Sequence, residues 1–495
     1  MHKAGQMDVF SLVALLTLSV STSLAADRGV ALLDVRPHWN ERDGERGRAR
    51  HVAMLMPIEL DLAGHAAIEH RPDGSWLWTL RLESPGALFM STKFSRFLIP
   101  EGASVAFIAR NGVYEAGPFT TEHVKATGRF GTPMIPGDQM TIEVQIPAGV
   151  QQPELVVESV SHGYKDVLGI GRFLDDNFDQ AEPLSTQRGG PFACQRDIVC
   201  PEGQPYIQLK DAIAEGYDGE YVCSGQLINN TRNDGRYLYI TAAHCEWWRD
   251  PSTMTYYWDY ANQTCGGNDY PSFTFSTGST DLFHSPNPNN DINLLELDGT
   301  DLEGDFDVYY AGWNRGTTPP TSTVAITHPA DKPLQIAIDE DPAIDCAQGG
   351  CPGGWGGNYW RIDDYEVGVT EGGSSGGGLF DQNQQLVGVL TGGVGTNCSN
   401  FGWDEYYKFS SEWAQLQPYL DPDNTGALNV PGWDGSTLAC TADLTGDGNL
   451  DIFDVFAYLD LFNAGNLAAD FTGDGTLDIF DVFAFLDAFN NCNAG

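Results

Sequence analysis

Three short stretches carry residue types that together could build a nucleophile. "YITAAHCEWW" puts His244 after an apolar run and directly before a cysteine. "NNDINLLEL" starts an apolar run with Asp291, and "EGGSSGGGLF" sets Ser375 in a glycine cluster ahead of "QLVGVLTGG". A serine hydroxyl attacks poorly until a base takes its proton. A neutral histidine suits that task when a carboxylate holds it in one tautomer. Taken singly, each residue has a duller reading: a structural histidine, a turn-capping aspartate, a flexible Gly/Ser loop. Taken together, His244, Asp291 and Ser375 read as a catalytic triad. The neighbouring glycines let the chain pack tightly, so the amides of Gly373 and Ser375 can converge on a developing oxyanion.

The elements that must hold these residues are short strands. From Cys194 to about Pro422 the sequence is dense in Gly, Trp and brief apolar runs, a length and pattern that suit two small barrels packed together. The order His–Asp–Ser, at intervals of 47 and 84 residues, is that of the trypsin-like double β-barrel. Residues 26–188 alternate "WLWTLRLES", "ASVAFIA", "MTIEVQI" and "ELVVESVS" with turn signals such as "RPDG" and "IPGD", which predicts a separate β-rich domain. The start of the chain has a short basic end and an apolar run from Val9 to Val20. "SLA" follows, which suits a signal peptide cleaved after Ala25. The expected divisions are thus 1–25 signal, 26–188 β-rich propeptide, 189–422 protease, 423–438 linker and 439–495 a C-terminal module. The fold class is mainly β, with a small α module at the end.

The protease region resembles bacterial lysyl endopeptidases through "CQRDIVCPEG", "LINNTRNDGRYLYITAAHC", "YYWDYANQTC", "AGWNRG", "GVTEGGSSGG" and "DEYYKFSSEW". The N-terminal region resembles that family's propeptide through "LESPGA", "FSRFLIPEGA", "FGTPMIPGDQMTIEV" and "SHGY". The resemblance implies disulfides Cys194–Cys398, Cys200–Cys265 and Cys223–Cys245, which leaves Cys346 with Cys351 and Cys440 with Cys492. It also implies that Asp404 lies at the base of a pocket for a basic side chain, with Trp355 beside it. The edge Thr391–Gly392–Gly393 would then pair with substrate backbone. Thr391 stands where the family has a histidine, a departure that weakens strict lysine selectivity. By the same resemblance the mature chain would begin at Gly189. Release after Arg188 needs arginine to be accepted, since no lysine lies between Lys165 and Lys210.

The C-terminal segment holds a duplicated stretch, "ADLTGDGNLDIFDVFAYLDLFN" and "ADFTGDGTLDIFDVFAFLDAFN", offset by 27 residues. In the first copy Asp443, Thr445, Asp447, Asn449, Asp451 and Asp454 fall at positions 1, 3, 5, 7, 9 and 12 of a calcium loop, with Gly448 at the sharp turn. In the second, Asp470, Thr472, Asp474, Thr476, Asp478 and Asp481 repeat the pattern around Gly475. Ligands that are all oxygen favour calcium over zinc, so two ions are expected, and catalysis itself needs no cofactor. A loop followed by one amphipathic stretch, without the leading helix of a sensor hand, resembles a dockerin type I module. That resemblance implies a cohesin-like scaffold partner; the plainer alternative is a calcium-stabilised cap.

Composition narrows the rest. The net charge is −42, with 68 acidic against 26 basic residues, which argues against nucleic-acid binding because phosphate contacts need Lys and Arg. No run after the leader is long enough for a transmembrane helix. Ten cysteines, all beyond residue 193, fit an exported, disulfide-bonded protein. The sequence therefore reads as a secreted serine endopeptidase, extracellular or surface-attached, acting after Lys or Arg. The alternative is an inactive protease-like scaffold serving in binding or adhesion.

Overall fold

The protein is described by a computed structural model that covers residues 23–24, 30–32, 50–110, 112, 114–173, 194–267, 272–287, 290–299, 308–394, 402–435, 442–445, 450–472 and 475–492. The N-terminal domain is two β-sheets packed face to face. One is centred on Trp76–Glu83, Gln139–Ile146 and Ser104–Ala109, the other on Phe89–Leu98, Glu154–Gly163 and Ala53–Asp61. Period-two alternation sends Trp78, Leu80 and Leu82 inward beside Met140, Ile142 and Val144, where they meet Phe94, Phe97, Phe107 and Phe130.

The following region forms two sheets. The first runs in the order Thr274–Thr277, Thr255–Trp258, Ile213–Tyr217, Tyr221–Leu227, Leu238–Thr241, Asn293–Leu297, Ser279–His284. Its two ends are consecutive in the chain, joined by Gly278. That residue donates to Met254 O at 2.7 Å and accepts from Asp298 N at 3.0 Å, so the sheet curls back on itself. The second sheet runs from Arg196–Asp197 through Gln335–Asp339, Thr323–Thr327, Gly378–Asp381, Gln385–Val394, Trp403–Lys408 and Tyr359–Ile362 to Ile344–Asp345. The mainly β expectation holds, and the helix Trp413–Leu420 is an addition to it.

The linker expected over 423–438 is corrected over its first part. Asn429–Val430 pairs with Gly312–Asn314, and Trp433 bridges to Tyr310. The segment's Gly, Asp and Pro content signals a linker, but Val430 and Trp433 are buried apolar anchors. The protease region thus extends at least to Trp433, past the expected limit of 422. In the C-terminal module, helices Ile452–Asn463 and Ile479–Cys492 pack through Tyr458 stacked on Phe485, centroids 4.1 Å apart and 7° from parallel. Bridges Cys200–Cys265, Cys223–Cys245 and Cys346–Cys351 are present as expected. Cys194 is also bonded, while Cys398 and Cys440, needed for the other two expected pairs, lie outside the described residues. Nearly all of the expected signal segment, and the Arg188–Gly189 bond, lie outside them too.

The N-terminal domain docks on the first sheet of the protease region. Arg50–His51 adds a strand beside Tyr221–Val222, and Val52 and Ala53 donate to Glu220 O. The Met134 amide donates to Tyr257 Oη at 2.7 Å, and one apolar cluster draws Val52, Phe89 and Met134 from one domain and Tyr217, Val222, Tyr257 and Tyr260 from the other. Asp250 receives both Arg129 nitrogens, at 3.1 and 3.0 Å, with Lys93 at 3.7 Å. Burial alone would push the Asp250 carboxyl up, but Arg129 and Lys93 hold it below the usual carboxylate range. A depressed folded-state pKa stabilises above the ordinary carboxylate range and is lost as pH falls through the lowered value. Asp250→Asn should therefore lower the melting temperature at pH 7 by a few degrees. The gap between variant and parent should shrink in scans at progressively lower pH.

Candidate active site

His244 sits in the 3-10 turn Ala243–Cys245, which ends at Glu246 in the left-handed region (φ 60°). The strand Leu238–Thr241 delivers this turn, and the Cys223–Cys245 bridge ties it to the neighbouring strand. Asp291 precedes Asn293–Leu297, the strand paired with Leu238–Thr241. The pairing brings the two together: Asp291 Oδ1 accepts from the His244 amide at 2.9 Å, and Oδ2 from His244 Nδ1 at 2.8 Å. Asp291 is only 4% exposed. Burial would raise its pKa, but His244 holds the carboxyl below the usual range, so it stays ionised. His244 Nε2, the nitrogen that faces away from Asp291, has no hydrogen-bond partner among the described residues.

Ser375 reaches this pair from the second sheet. Its carbonyl accepts from the Ser224 amide at 2.9 Å and lies 4.0 Å from Cys245 Sγ. The approach depends on Gly376. At φ +80°, a Cβ there would fall 2.1 Å from Thr241 Oγ1 and 2.5 Å from Ser224 O, so a side chain would push the two sheets apart. Gly373 is fixed through its carbonyl, which accepts from Ser224 Oγ at 2.9 Å, and Ala330 N donates to Gly372 O at 2.7 Å. Among the described residues the amides of Gly373 and Ser375 donate to no protein acceptor, the condition an oxyanion hole requires. Ser374 points elsewhere: it is fully buried, with its hydroxyl on Thr327 Oγ1 at 2.8 Å and the Glu371 amide at 3.3 Å.

Asp404 lies on Trp403–Lys408, opposite Gly393 and almost fully buried. Its Oδ2 accepts from Tyr365 Oη at 2.8 Å and from Thr370 Oγ1. Gly393 has to be glycine, since a Cβ would meet Asp404 Oδ1 at 2.0 Å. The edge Thr391–Gly392–Gly393 therefore runs beside the acidic group, as the sequence implied. Thr391, at the start of this edge, is buried, and its Oγ1 has no hydrogen-bond partner among the described residues. Trp355 is half-buried, edge-on to Trp403 at 5.6 Å, and its amide donates to Glu405 Oε2 at 2.8 Å.

Sequence reasoning missed the group that holds this loop. Glu405 Oε1 takes Arg361 Nε at 3.0 Å and Nη2 at 2.7 Å, both residues are buried, and the Arg361 guanidinium stacks 4.0 Å over Trp403. Nothing in the local sequence marks it, because the partners are 44 residues apart.

Comparison with known proteins follows this geometry. Residues 189–408 match the family described as lysyl endopeptidase, C-terminal domain, and residues 47–164 match the lysyl endopeptidase N-terminal domain. The lysyl endopeptidase of Pseudomonas aeruginosa is 29% identical over 318 residues, 59% of this chain and 63% of that protein. The match thus spans less than two thirds of that relative's length. Among solved structures, a Glu endopeptidase is 18% identical over 46% of this chain and 95% of its own, with a TM-score of 0.30. Rv3671c from Mycobacterium tuberculosis, in an inactive form, is 15% identical over 44% and 90%, with a TM-score of 0.29. Both matched regions of the chain are thus similar to those of the lysyl endopeptidases, a kind of serine endopeptidase.

The two serines make the geometry testable. A sulfonyl fluoride should label Ser375 and spare Ser374, whose hydroxyl is buried and already engaged. Peptide mapping of the labelled protein should find the adduct on Ser375 in the parent and in Ser374→Ala. Labelling that persists in Ser375→Ala would refute the assignment.

Proposed function

We propose that this chain is a secreted serine endopeptidase that cuts after basic residues, with Ser375 as nucleophile and His244 as base. The observation that carries the reading is the buried, ionised Asp291 on His244 Nδ1, set beside a serine flanked by two unclaimed amides. Ser375 Oγ adds to the scissile carbonyl carbon while its proton passes to His244 Nε2. Asp291 stabilises the resulting imidazolium, and the amides of Gly373 and Ser375 receive the oxyanion. The C–N bond breaks as Nε2 protonates the departing amine, leaving an acyl group on Ser375. Water, deprotonated by the same nitrogen, then releases the acid and restores the hydroxyl.

Asp404 supports the preference for a cationic side chain. Its neighbours Tyr365 and Thr370 are neutral donors that do not cancel its charge, so a lysine or arginine is favoured and a neutral side chain is penalised. Substrate backbone would extend the Thr391–Gly393 edge. Acceptance of arginine rests on Arg188, the basic residue at the expected maturation point. Asp404→Asn should lower kcat/KM on lysyl and arginyl amides by several orders of magnitude. Cleavage profiles of a proteome digest read by mass spectrometry would check it. Undiminished cutting after basic residues would place the pocket charge elsewhere.

The C-terminal repeats fit calcium in donor chemistry. Every side chain at the ligand positions offers oxygen, and Asp454 and Asp481, the position-12 carboxylates, are fully buried. Each draws its own loop inward: Asp454 accepts from the amides of Thr445 and Asp451, and Asp481 from those of Thr472 and Asp478. Asp447, Asn449 and Asp474 lie outside the described residues. Asp443, Thr445, Asp447, Asn449, Asp451 and Asp454 would hold one ion. Asp470, Thr472, Asp474, Thr476, Asp478 and Asp481 would hold the other. The ions would offset carboxylate repulsion and couple to folding. Both helices expose the same apolar residues, Ile452, Phe453, Phe456 and Leu459 in one and Ile479, Phe480, Phe483 and Leu486 in the other, each at least 40% exposed. That supports a protein partner of the cohesin kind, with the module as an attachment device. A fragment from Ala439 to Gly495 should lose helix in chelator and regain it with about two calcium ions. Identical circular dichroism in both conditions would count against the coupling.

A further inference from the structure

A cluster of oxygens lies in the second protease sheet, away from the triad and the repeats. Asp339 ends the strand Gln335–Asp339, Asp341 lies in the turn beyond it, and Glu366 arrives from a separate segment. The antiparallel bridge Ile338–Val367 carries the register one residue further, so Glu366 stands opposite Asp339. On the other side Thr323 is the direct cross-strand partner of Asp339. Directly opposed residues share a face, so Thr323, Asp339 and Glu366 form a row, with Asp341 over its end.

One oxygen from each carboxylate lies within 4.8 Å of the others. Calcium takes six to eight oxygen ligands at about 2.3–2.6 Å in flexible geometry, so three carboxylate oxygens gathered this closely are compatible with it. No Lys or Arg among the described residues forms an ion pair with any of the three. An independent sign is Thr323, which is 3% exposed and whose Oγ1 has no hydrogen-bond partner on this row. A buried hydroxyl left unsatisfied costs about 1–3 kcal/mol unless something meets it.

We propose that Asp339, Asp341 and Glu366, with Thr323 Oγ1, form a calcium site in the second protease sheet. The ion would tie the turn after Asp339 to the segment holding Glu366. That segment continues through Thr370, which donates to Asp404, into Glu371–Ser375. The site would thus brace the segment that leads to both the specificity pocket and the nucleophile.

Calcium bound per full-length chain, counted by equilibrium dialysis with metal analysis, tests this. Asp341→Asn/Glu366→Gln, at two exposed side chains, should lower the count by about one ion. Thr323→Val keeps every charge and removes the one neutral oxygen, so it should weaken the same ion's binding severalfold while leaving the repeats' ions in place. If the repeats hold no calcium, the parent's count drops by their share while the difference between parent and variant persists. The two readings therefore fail separately. An unchanged count in the double variant, or unchanged affinity in Thr323→Val, would overturn the proposal.

Discussion

A carboxylate that is 4% exposed and still ionised is the constraint on which the protease region depends. Burying an unpaired carboxylate costs several kcal/mol, so Asp291 is tolerable only with its compensation in place. That compensation comes from the His244 amide and the His244 ring. Both belong to the turn after Leu238–Thr241, so the charge fixes His244 on the first sheet, and the apposition of the two sheets brings Ser375 toward it. The Ser224–Ser375 hydrogen bond and the missing side chain at Gly376 set how close that apposition is.

A similar logic separates two adjacent acids on Trp403–Lys408. Glu405 is neutralised internally by Arg361 and by the Trp355 amide, so its charge is spent on holding a loop. Asp404, one residue earlier and on the opposite face of the strand, receives hydroxyls. Alternation along a strand sends neighbouring side chains to opposite faces. Glu405 thus serves structure, while Asp404, on the other face, is the acid to which the proposed preference for a basic side chain is assigned. Replacing Glu405 by its neutral amide would loosen Trp355, whereas the same change at Asp404 tests that proposal.

The His244–Asp291 pair and the glycine-cradled Ser375 could be picked out because their residue types fall in short motifs in a fixed order, and because the strands around them alternate cleanly. The apolar sets in Trp76–Glu83 and Gln139–Ile146 could likewise be read directly from period-two spacing. Asp404 and Trp355 came only through resemblance, since an acid in "WDEYYK" carries no local mark of a pocket. Arg361–Glu405 and the Asp339–Glu366 pairing were not legible at all. Each is produced by register between strands far apart in sequence. The segment 423–433 failed for the opposite reason: its local composition is that of a linker, and tertiary packing of Val430 and Trp433 overrode it.

The contacts of the N-terminal domain bear on what cleavage between residues 173 and 194 can do. Its strand at Arg50–His51, the ion pairs of Lys93, Lys125 and Arg129, and its share of the Tyr217–Tyr257 cluster all lie before that stretch. Cutting the connection removes none of them. It lowers only the effective concentration that the covalent link supplied. Arg50 also pairs with Asp331, next to the Ala330–Gly372 hydrogen bond at the base of the nucleophile loop. Asp331 is buried, so this ion pair ties the N-terminal domain to the turn that holds Gly372, through contacts that a backbone cut between residues 173 and 194 leaves in place.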